Sequence, residues 1–274
     1  ISSLDIQMDR SLLRSVSFSV LPKEGSISDP IKVNYHMNRL EERSDGFKLP
    51  VFGLYSDYRN SVELTFEYID YSINNWTLDV DTEVFDDPRG VYDSIIVMIA
   101  PTHETKPSFS YIFLKSAASG PVVMDIDGNI RWISSELYDA SNATYVDGMF
   151  YISYRDDFIN HNVLDKKIVS PLTYPEGLSD LTNIDTHHNV DRGKFGLFVE
   201  IDGDRNGIRI IESVLWEVNE LGQVFAEWDV GKIITDHMLE NGDDPSKFVI
   251  DGTDWCHMNS ATYDILNDSV LISC

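Results

Sequence analysis

The sequence predicts an all-β protein, in which an N-terminal β-sandwich is followed by a β-propeller that is incomplete here. Short segments with β-branched residues or alternating polarity fill residues 11–100. After residue 108, a strand–turn–strand unit recurs at roughly 40 to 50 residues, the length of a four-stranded propeller blade. Only residues 230–242 have a helical pattern. With 274 residues, 42% of them hydrophobic, the chain is long enough for two domains.

Five strand-like segments in the first part of the chain predict the sandwich. Gly, Pro, Asp and Asn separate them, as is typical of turns between short strands. The segments are SVSFSV, IKVNYHM, SVELTFEYI, WTLDVDTEVF and SIIVMIA. The polar stretch PTHETKPS (101–108) contains two prolines and indicates a linker. We therefore expect a sandwich domain over residues 1–105 and a second domain over residues 106–274.

The second domain repeats one pattern. In GPVVMDIDGNIRWI (120–133), a predicted strand is followed by a turn at Asp127 and Gly128 and then by a second strand. SVLWEVNELGQVFAEWDV (213–230) has the same order, with a turn near Leu221 and Gly222. NHNVLDKKIVSPL (160–172) is a degenerate copy. Residues 106–274 hold about three such units, whereas a closed propeller has four to eight blades. We expect the remaining blades to belong to a longer protein.

The charge of the chain limits its partners. Asp and Glu number 46 against 21 Lys and Arg, which gives a net charge of −25 that is spread along the sequence. Nucleic acids and anionic membranes need a positive face, so neither is expected as a partner. No apolar run of about 18 residues predicts a membrane span. The first residues, ISSLDIQMDR, lack the features of a signal peptide, although a signal removed before residue 1 stays open.

Three histidines are the strongest candidates for chemistry. His187 and His188 in HHNV precede the hairpin strand KFGLFVEID, and His257 in HMNS precedes DSVLISC in the same way. Inner strands of propeller blades converge on one channel, so we predict that histidines from adjacent blades face a common pocket. The alternative is that they are core or turn histidines. That alternative is kept for the other four, which are His36, His103, His161 and His237.

The stretch DWCHMNSATYD (254–264) is strand-like. Residues two apart on a strand lie on the same face, so His257 and Asn259 are predicted to share a face with Trp255 and Ala261. Such a face is too polar for an ordinary sheet core. We therefore interpret Asn259 as a site residue together with His257.

One acidic loop has the start of a calcium-binding pattern. DGDRNG (202–207) places Asp202, Asp204 and Asn206 at the spacing of a calcium loop, but the twelfth position is Ser213, where a bidentate Glu is required. A hairpin turn explains these residues better. No metal and no cofactor is predicted.

Several segments resemble bacterial arylsulfate sulfotransferases. LPVFGLYSDYRNSVELTF (49–66) resembles the N-terminal domain of that family, and GNIRWI, HHNV and DWCHMNSATYD…DSVLIS resemble its propeller motifs in the same order. The resemblance implies a six-bladed propeller enzyme. It moves a sulfuryl group from a phenolic sulfate donor to a phenol acceptor, without a nucleotide donor and through a transiently sulfated histidine.

The resemblance also implies roles for individual residues. His188, more than His187, matches the first channel histidine of the family, His257 matches the second, and Asn259 is the neighbour that orients His257. An arginine is expected directly after Cys274, and the sulfated histidine is expected in a later blade. The enzyme is expected to be periplasmic or secreted, and a homodimer stays open. The alternative function is a non-catalytic propeller that binds a ligand or a protein.

The two cysteines lie at the two ends of a predicted hairpin. If its turn falls near residues 265–268, Cys256 comes close to Cys274 across the strand pair, where Cα atoms are roughly 4.5 to 5.5 Å apart. A disulfide is one possibility, because an exported enzyme meets an oxidising compartment. A pair of buried thiols is the other.

Overall fold

The computed structural model describes residues 2–85, 87, 90–92, 95–115, 120–134, 142–162, 164 and 167–274. These residues form twenty β-strands, one α-helix and three short 3-10 helices, so the all-β prediction is confirmed. The chain divides into two compact units, Ile1–Leu114 with Val122–Ser135, and Lys115–Pro121 with Glu136–Cys274. The predicted domain boundary at residue 105 stays a prediction. No helix of the described residues is long and apolar enough to cross a membrane.

The first unit contains ten strands in three sheets. The sheet orders are β3-β2-β6-β7, β1-β5-β4 and β10-β9-β8. Two 3-10 helices, Arg10–Leu12 and Met37–Arg39, connect strands of the first two sheets. The strands are β1 (Ser2–Gln7), β2 (Leu13–Val20), β3 (Ile31–His36), β4 (Glu41–Arg43), β5 (Gly46–Val51), β6 (Arg59–Tyr68), β7 (Ile73–Asp81), β8 (Tyr111–Leu114), β9 (Val122–Asp125) and β10 (Ile130–Ile133).

Alternating burial makes the first two sheets a sandwich. Strand β6 buries Val62, Leu64 and Phe66, and β5 buries Phe47 and Leu49 in the same hydrophobic core. Alternate residues of a strand point to opposite faces, so each sheet turns one apolar face to the other. Each large apolar side chain buried in this way stabilises the fold by about 1.5 to 3 kcal/mol.

One predicted strand of this unit is wrong. The described part of SIIVMIA, residues 95–100, forms no strand. Ile96, Met98 and Ile99 are mostly exposed there. Strand formation needs a partner that accepts and donates backbone hydrogen bonds, and no described strand pairs with these residues.

The second unit contains ten strands and the α-helix. The sheet orders are β11-β12-β13-β14, β15-β16-β17-β18 and β19-β20. The elements are β11 (Ala143–Val146), β12 (Met149–Tyr154), β13 (Asp157–Asn162), β14 (Lys167–Pro171), β15 (Thr182–Arg192), β16 (Leu197–Arg205), β17 (Ile208–Val218), β18 (Val224–Asp229), α1 (Val230–Glu240), the 3-10 helix Pro245–Lys247, β19 (Ser260–Asp264) and β20 (Ser269–Ser273). Each four-stranded meander has the strand number and order of one propeller blade. The closed propeller stays a prediction.

The loop DGDRNG is a hairpin turn, as the turn interpretation predicted. Arg205 pairs with Ile208 across the turn, and the two residues between them, Asn206 and Gly207, have φ of 51° and 81°. Positive φ at both central positions is the requirement of a type I′ turn, which Asn-Gly meets at little cost. The acidic residues of this loop therefore belong to a strand end.

The stretch 254–264 is not one continuous strand, which corrects the sequence prediction. Strand β19 begins only at Ser260, and His257 has a φ of 49°. A left-handed residue interrupts the alternation of a strand. As a result Met258 and Ala261 are buried, whereas His257 and Asn259 are exposed, so Ala261 does not share a face with them.

Candidate active site

His187 and His188 project together from one strand because β15 is irregular. His187 pairs with Glu200, and Val190 pairs with Val199. The two residues of β15 between these pairs therefore form a bulge, with no residue of β16 opposite them. His188 has a φ of 45°. Neighbouring residues on a regular strand would point to opposite faces. Here the two imidazole centroids lie 4.1 Å apart, with the rings nearly perpendicular.

His257 reaches the same place from the loop that precedes β19. Its ring centroid lies 5.1 Å from that of His188. Its Nδ1 lies 2.6 Å from Asp254 Oδ2, and because a carboxylate only accepts, the imidazole donates this hydrogen bond. The structure thus brings together the three histidines that the sequence singled out, and their catalytic role stays a prediction.

Glu212 on β17 lies at the centre of the three imidazoles, and the sequence analysis missed it. Its Oε1 is 2.8 Å from His187 Nδ1 and 3.2 Å from His188 Nε2, and its Oε2 is 2.8 Å from His257 Nδ1. The residue is only 4% exposed. One signal could have found it: Glu212 is the single charged residue in the apolar run IIESVLW.

The backbone around Glu212 is fixed by its neighbours. Its φ is 46°, its N–H donates to Asp202 Oδ1 at 2.8 Å, and its carbonyl oxygen accepts the N–H of Met258. The last contact ties β17 to the loop that carries His257. A left-handed backbone at Glu212, as at His188 and His257, turns the side chain out of the strand pattern and toward the cluster.

Asn259 holds the backbone of the loop that carries His257. Its Nδ2 donates to the carbonyl oxygen of His257 at 2.8 Å, and its N–H donates to Ser273 O on β20. Asn259 therefore fixes the backbone of His257 relative to the hairpin of β19 and β20. The side-chain hydrogen bond is to the main chain of His257, and the role of Asn259 in orienting the imidazole stays a prediction.

The surroundings of the cluster are acidic and partly buried. Burial, followed by the charge of Glu212, raises the pKa of Glu200 to about 8. The hydrogen bond to Asp254, followed by the charge of Glu212, raises the pKa of His257. Burial lowers the pKa of Lys115, whose Nζ donates to Asn189 Oδ1. These acidic, partly buried surroundings thus favour the protonated form of the Glu200 carboxyl group and the charged form of the His257 imidazole.

The residue types of this cluster permit two kinds of chemistry. Imidazole is a nucleophile, a proton donor and a donor of hydrogen bonds to anions. Imidazole and carboxylate are also metal ligands, and two overlapping groups have ligand atoms within 4.8 Å of one another. They are His187 with His188 and Glu212, and Glu212 with Asp254 and His257.

Two comparisons with protein families identify the family to which the chain belongs. The family described as Arylsulfotransferase (ASST) matches residues 93–274, which include the whole histidine cluster. The family described as Arylsulfotransferase Ig-like domain matches residues 2–82, which form most of the sandwich. No curated protein matches the chain. A match over more than half of the sequence is decisive, and the chain belongs to the arylsulfotransferase (ASST) family of sulfotransferase enzymes.

Proposed function

We propose that the protein transfers a sulfuryl group from a phenolic sulfate ester to a phenol through a sulfo-histidine intermediate, and that His188 and His257 bind the sulfate oxygens. The observation that carries this proposal is the convergence of three imidazoles within ring-contact distance in a chain whose net charge is −25. An anionic substrate needs a local group of donors, and this cluster supplies one.

The donors act on the charge that develops during transfer. A sulfuryl group between two oxygens carries negative charge on its equatorial oxygens, and fixed N–H groups aimed at those oxygens stabilise the transition state. His188 contacts Oε1 of the Glu212 carboxylate and His257 contacts its Oε2, so the two imidazoles are held next to each other. His187 is the third donor of the set.

The reaction runs in two balanced steps. In the first, an imidazole nitrogen attacks sulfur, the new S–N bond forms as the S–O(aryl) bond breaks, and the leaving phenolate takes a proton from an imidazolium. In the second, the acceptor phenol attacks sulfur, the S–N bond breaks to free the nucleophilic histidine, and the phenol proton returns to the imidazole that protonated the leaving phenolate in the first step. The nucleophile is a histidine in a later blade of the propeller, beyond residue 274.

We place the enzyme outside the cytoplasm, in the periplasm or secreted. The support is the disulfide between Cys256 and Cys274, because such bonds persist in oxidising compartments and are rare in the cytosol. The six-bladed closure of the propeller is part of the same proposal. Its support is the pair of four-stranded meanders.

The test is sulfate transfer by the full-length protein. A chromogenic aryl sulfate is supplied with and without phenol, and the sulfated phenol is measured by mass spectrometry. Transfer to phenol supports the proposal. Binding of the aryl sulfate without release of the chromogenic phenol would instead identify a non-catalytic binding module.

A further inference from the structure

Three buried polar atoms of the histidine cluster make no hydrogen bond with any described residue. They are Nδ1 of His187, Nε2 of His188 and Oε2 of Glu212. The Glu212 side chain is only 5% exposed, and no Arg or Lys of the described residues forms an ion pair with it. Buried polar atoms without a partner are rare and costly in native proteins, so three that converge need a physical explanation.

The spacing of these residues is close to that of ligands around a single cation. Glu212 Oε1 lies 2.8 Å from His187 Nδ1 and 3.2 Å from His188 Nε2. One ligand atom from each of the three residues lies within 4.8 Å of the others. Two ligands of one zinc ion, each about 2.1 Å from the metal, lie roughly 3.0 to 3.5 Å apart. One ion could therefore contact both imidazoles and the carboxylate.

The donor types select the class of cation. Two imidazoles and one carboxylate suit zinc and other divalent transition-metal ions, whereas magnesium and calcium take oxygen ligands. Three protein ligands are one fewer than a structural zinc site has, so a position remains for a further ligand. The side chains of His187 and His188 are 41% and 30% exposed, so the site is accessible from solvent.

A second group of possible ligands, Glu212 with Asp254 and His257, is a weaker candidate. Its histidine already has a partner, because Nδ1 of His257 donates to Asp254 Oδ2 at 2.6 Å. A ring nitrogen that donates a hydrogen bond has no lone pair for a metal. His257 is therefore a neighbour of the site rather than one of its ligands.

We propose that His187 Nδ1, His188 Nε2 and Glu212 Oε1 bind one zinc ion or a similar divalent transition-metal ion, and that an oxygen of the sulfate group is its fourth ligand. The metal site does not depend on the proposed function, whereas the identity of the fourth ligand rests on it. The sequence analysis predicted no metal, because Glu212 was not among its candidates.

A metal ion at this place agrees with sulfate binding by the histidines. Coordination uses the lone pair of one ring nitrogen and leaves the proton of a neutral imidazole on the other. His187 and His188 would each keep one N–H for a sulfate oxygen. The ion would add the positive charge that an anionic ester needs in a chain with a net charge of −25.

The experiment measures zinc binding to the full-length protein after a chelator has removed its metal. Calorimetry gives the affinity and the number of ions per chain for the wild type and for His187→Ala, His188→Ala and Glu212→Gln. Co(II) then replaces zinc, because its visible absorption spectrum reports the number and geometry of its ligands. Circular dichroism shows which variants are folded.

Two matched controls belong to the same experiment. Glu217→Gln removes a carboxylate that is buried on the same strand as Glu212, where its Oε1 accepts the N–H groups of Phe195 and Gly196. His237→Ala removes a histidine that is exposed on α1. Both variants should bind zinc as the wild type does.

We expect the wild type to bind one zinc ion per chain. Loss of a residue that only supports a metal ligand weakens metal affinity about 10- to 100-fold, so loss of a ligand itself should weaken it by about a hundredfold or more. Because the side chain of His187 is partly exposed, His187→Ala should fold even if Glu212→Gln does not.

Two results would overturn the metal site. One is a folded wild type that binds no stoichiometric zinc. The other is a folded His187→Ala variant with wild-type zinc affinity. If Asp254→Asn and His257→Ala lose zinc while His187→Ala keeps it, the ion lies in the second group and the proposed ligands are wrong.

Inorganic sulfate tests the fourth ligand. Added to the Co(II)-loaded wild type, it should change the visible spectrum, and an unchanged spectrum at millimolar sulfate overturns this part of the inference. The proposed function fails separately: a zinc-loaded protein that binds sulfate but transfers no sulfuryl group to phenol contradicts the function alone. Transfer by a protein that binds no zinc contradicts the inference alone.

Discussion

Glu212 Oε2 lies 2.8 Å from Nδ1 of His257, although Glu212 belongs to β17 and His257 to the loop that precedes β19 of another sheet. The same carboxylate contacts His187 and His188 through its other oxygen. A single buried carboxyl group thus joins the two histidine motifs that the sequence presents separately.

Removing one of the imidazoles that we propose bind sulfate should slow turnover strongly. His188→Ala and His257→Ala each remove a proposed donor to the sulfate oxygens, so we expect the kcat of the full-length enzyme to fall by about a hundredfold or more. His237→Ala is the matched control, because His237 is exposed on α1 and should leave the rate unchanged. Normal rates in folded His188 and His257 variants would return both residues to a structural role.

Transfer should follow ping-pong kinetics. A covalent sulfo-histidine requires that the donor phenol leaves before the acceptor reacts, so double-reciprocal plots at several phenol concentrations should be parallel. Phenol should also speed release of the donor phenol by accepting the sulfuryl group. Intersecting lines would indicate direct transfer within a ternary complex and would exclude the covalent step.

The charge state of His257 should depend on Asp254. The hydrogen bond to Asp254 is the larger cause of its raised pKa and the charge of Glu212 the next, so Asp254→Asn should lower the pKa of His257. Because the pKa of His257 is higher in the folded than in the unfolded chain, protonation of His257 stabilises the fold. This stabilisation is fully present below the unfolded pKa of about 6.5 and is lost as pH rises through the folded pKa. NMR titration of wild type and variant checks the shift, and an unchanged His257 pKa contradicts the assignment.

Glu200 should destabilise the fold as pH rises. Its pKa is raised to about 8, so between about pH 4.5 and 8 the unfolded chain ionises this carboxyl while the folded chain keeps it protonated. The free energy of unfolding should lose up to about 5 kcal/mol from this group across that range. Glu200→Gln should remove the loss, which urea unfolding at pH 5 and pH 8 measures. Equal pH dependence in both proteins would count against the protonated Glu200.

The disulfide should stabilise the hairpin that carries His257. Cys256 and Cys274 are bonded, with Cα atoms 5.0 Å apart and a sequence separation of 18. A cross-link over a loop of this size stabilises by about 3 kcal/mol. The double variant with Ala at both positions should lose about that amount in urea unfolding, and the denatured, unreduced wild type should titrate no free thiol from this pair. Two reactive thiols there would contradict the bond.

The local patterns of the sequence were sufficient for many of the strands and for the turn at Asn206 and Gly207, but not for SIIVMIA or for residues 254–259. Alternating apolar residues fix the two faces of β6, and Asn206-Gly207 fixes a type I′ turn, because both depend on neighbours within a few residues. These features are local, and local chemistry decides them.

The sequence by itself determined an all-β chain and a short set of candidate histidines, His187, His188 and His257. Tertiary structure alone decided that they meet around Glu212. That meeting depends on bulged strand pairing and on left-handed backbone at His188, Glu212 and His257, which turn side chains out of the alternating pattern. A pattern of period two cannot show such residues, because the energy that holds them there comes from contacts between strands that are distant in the sequence.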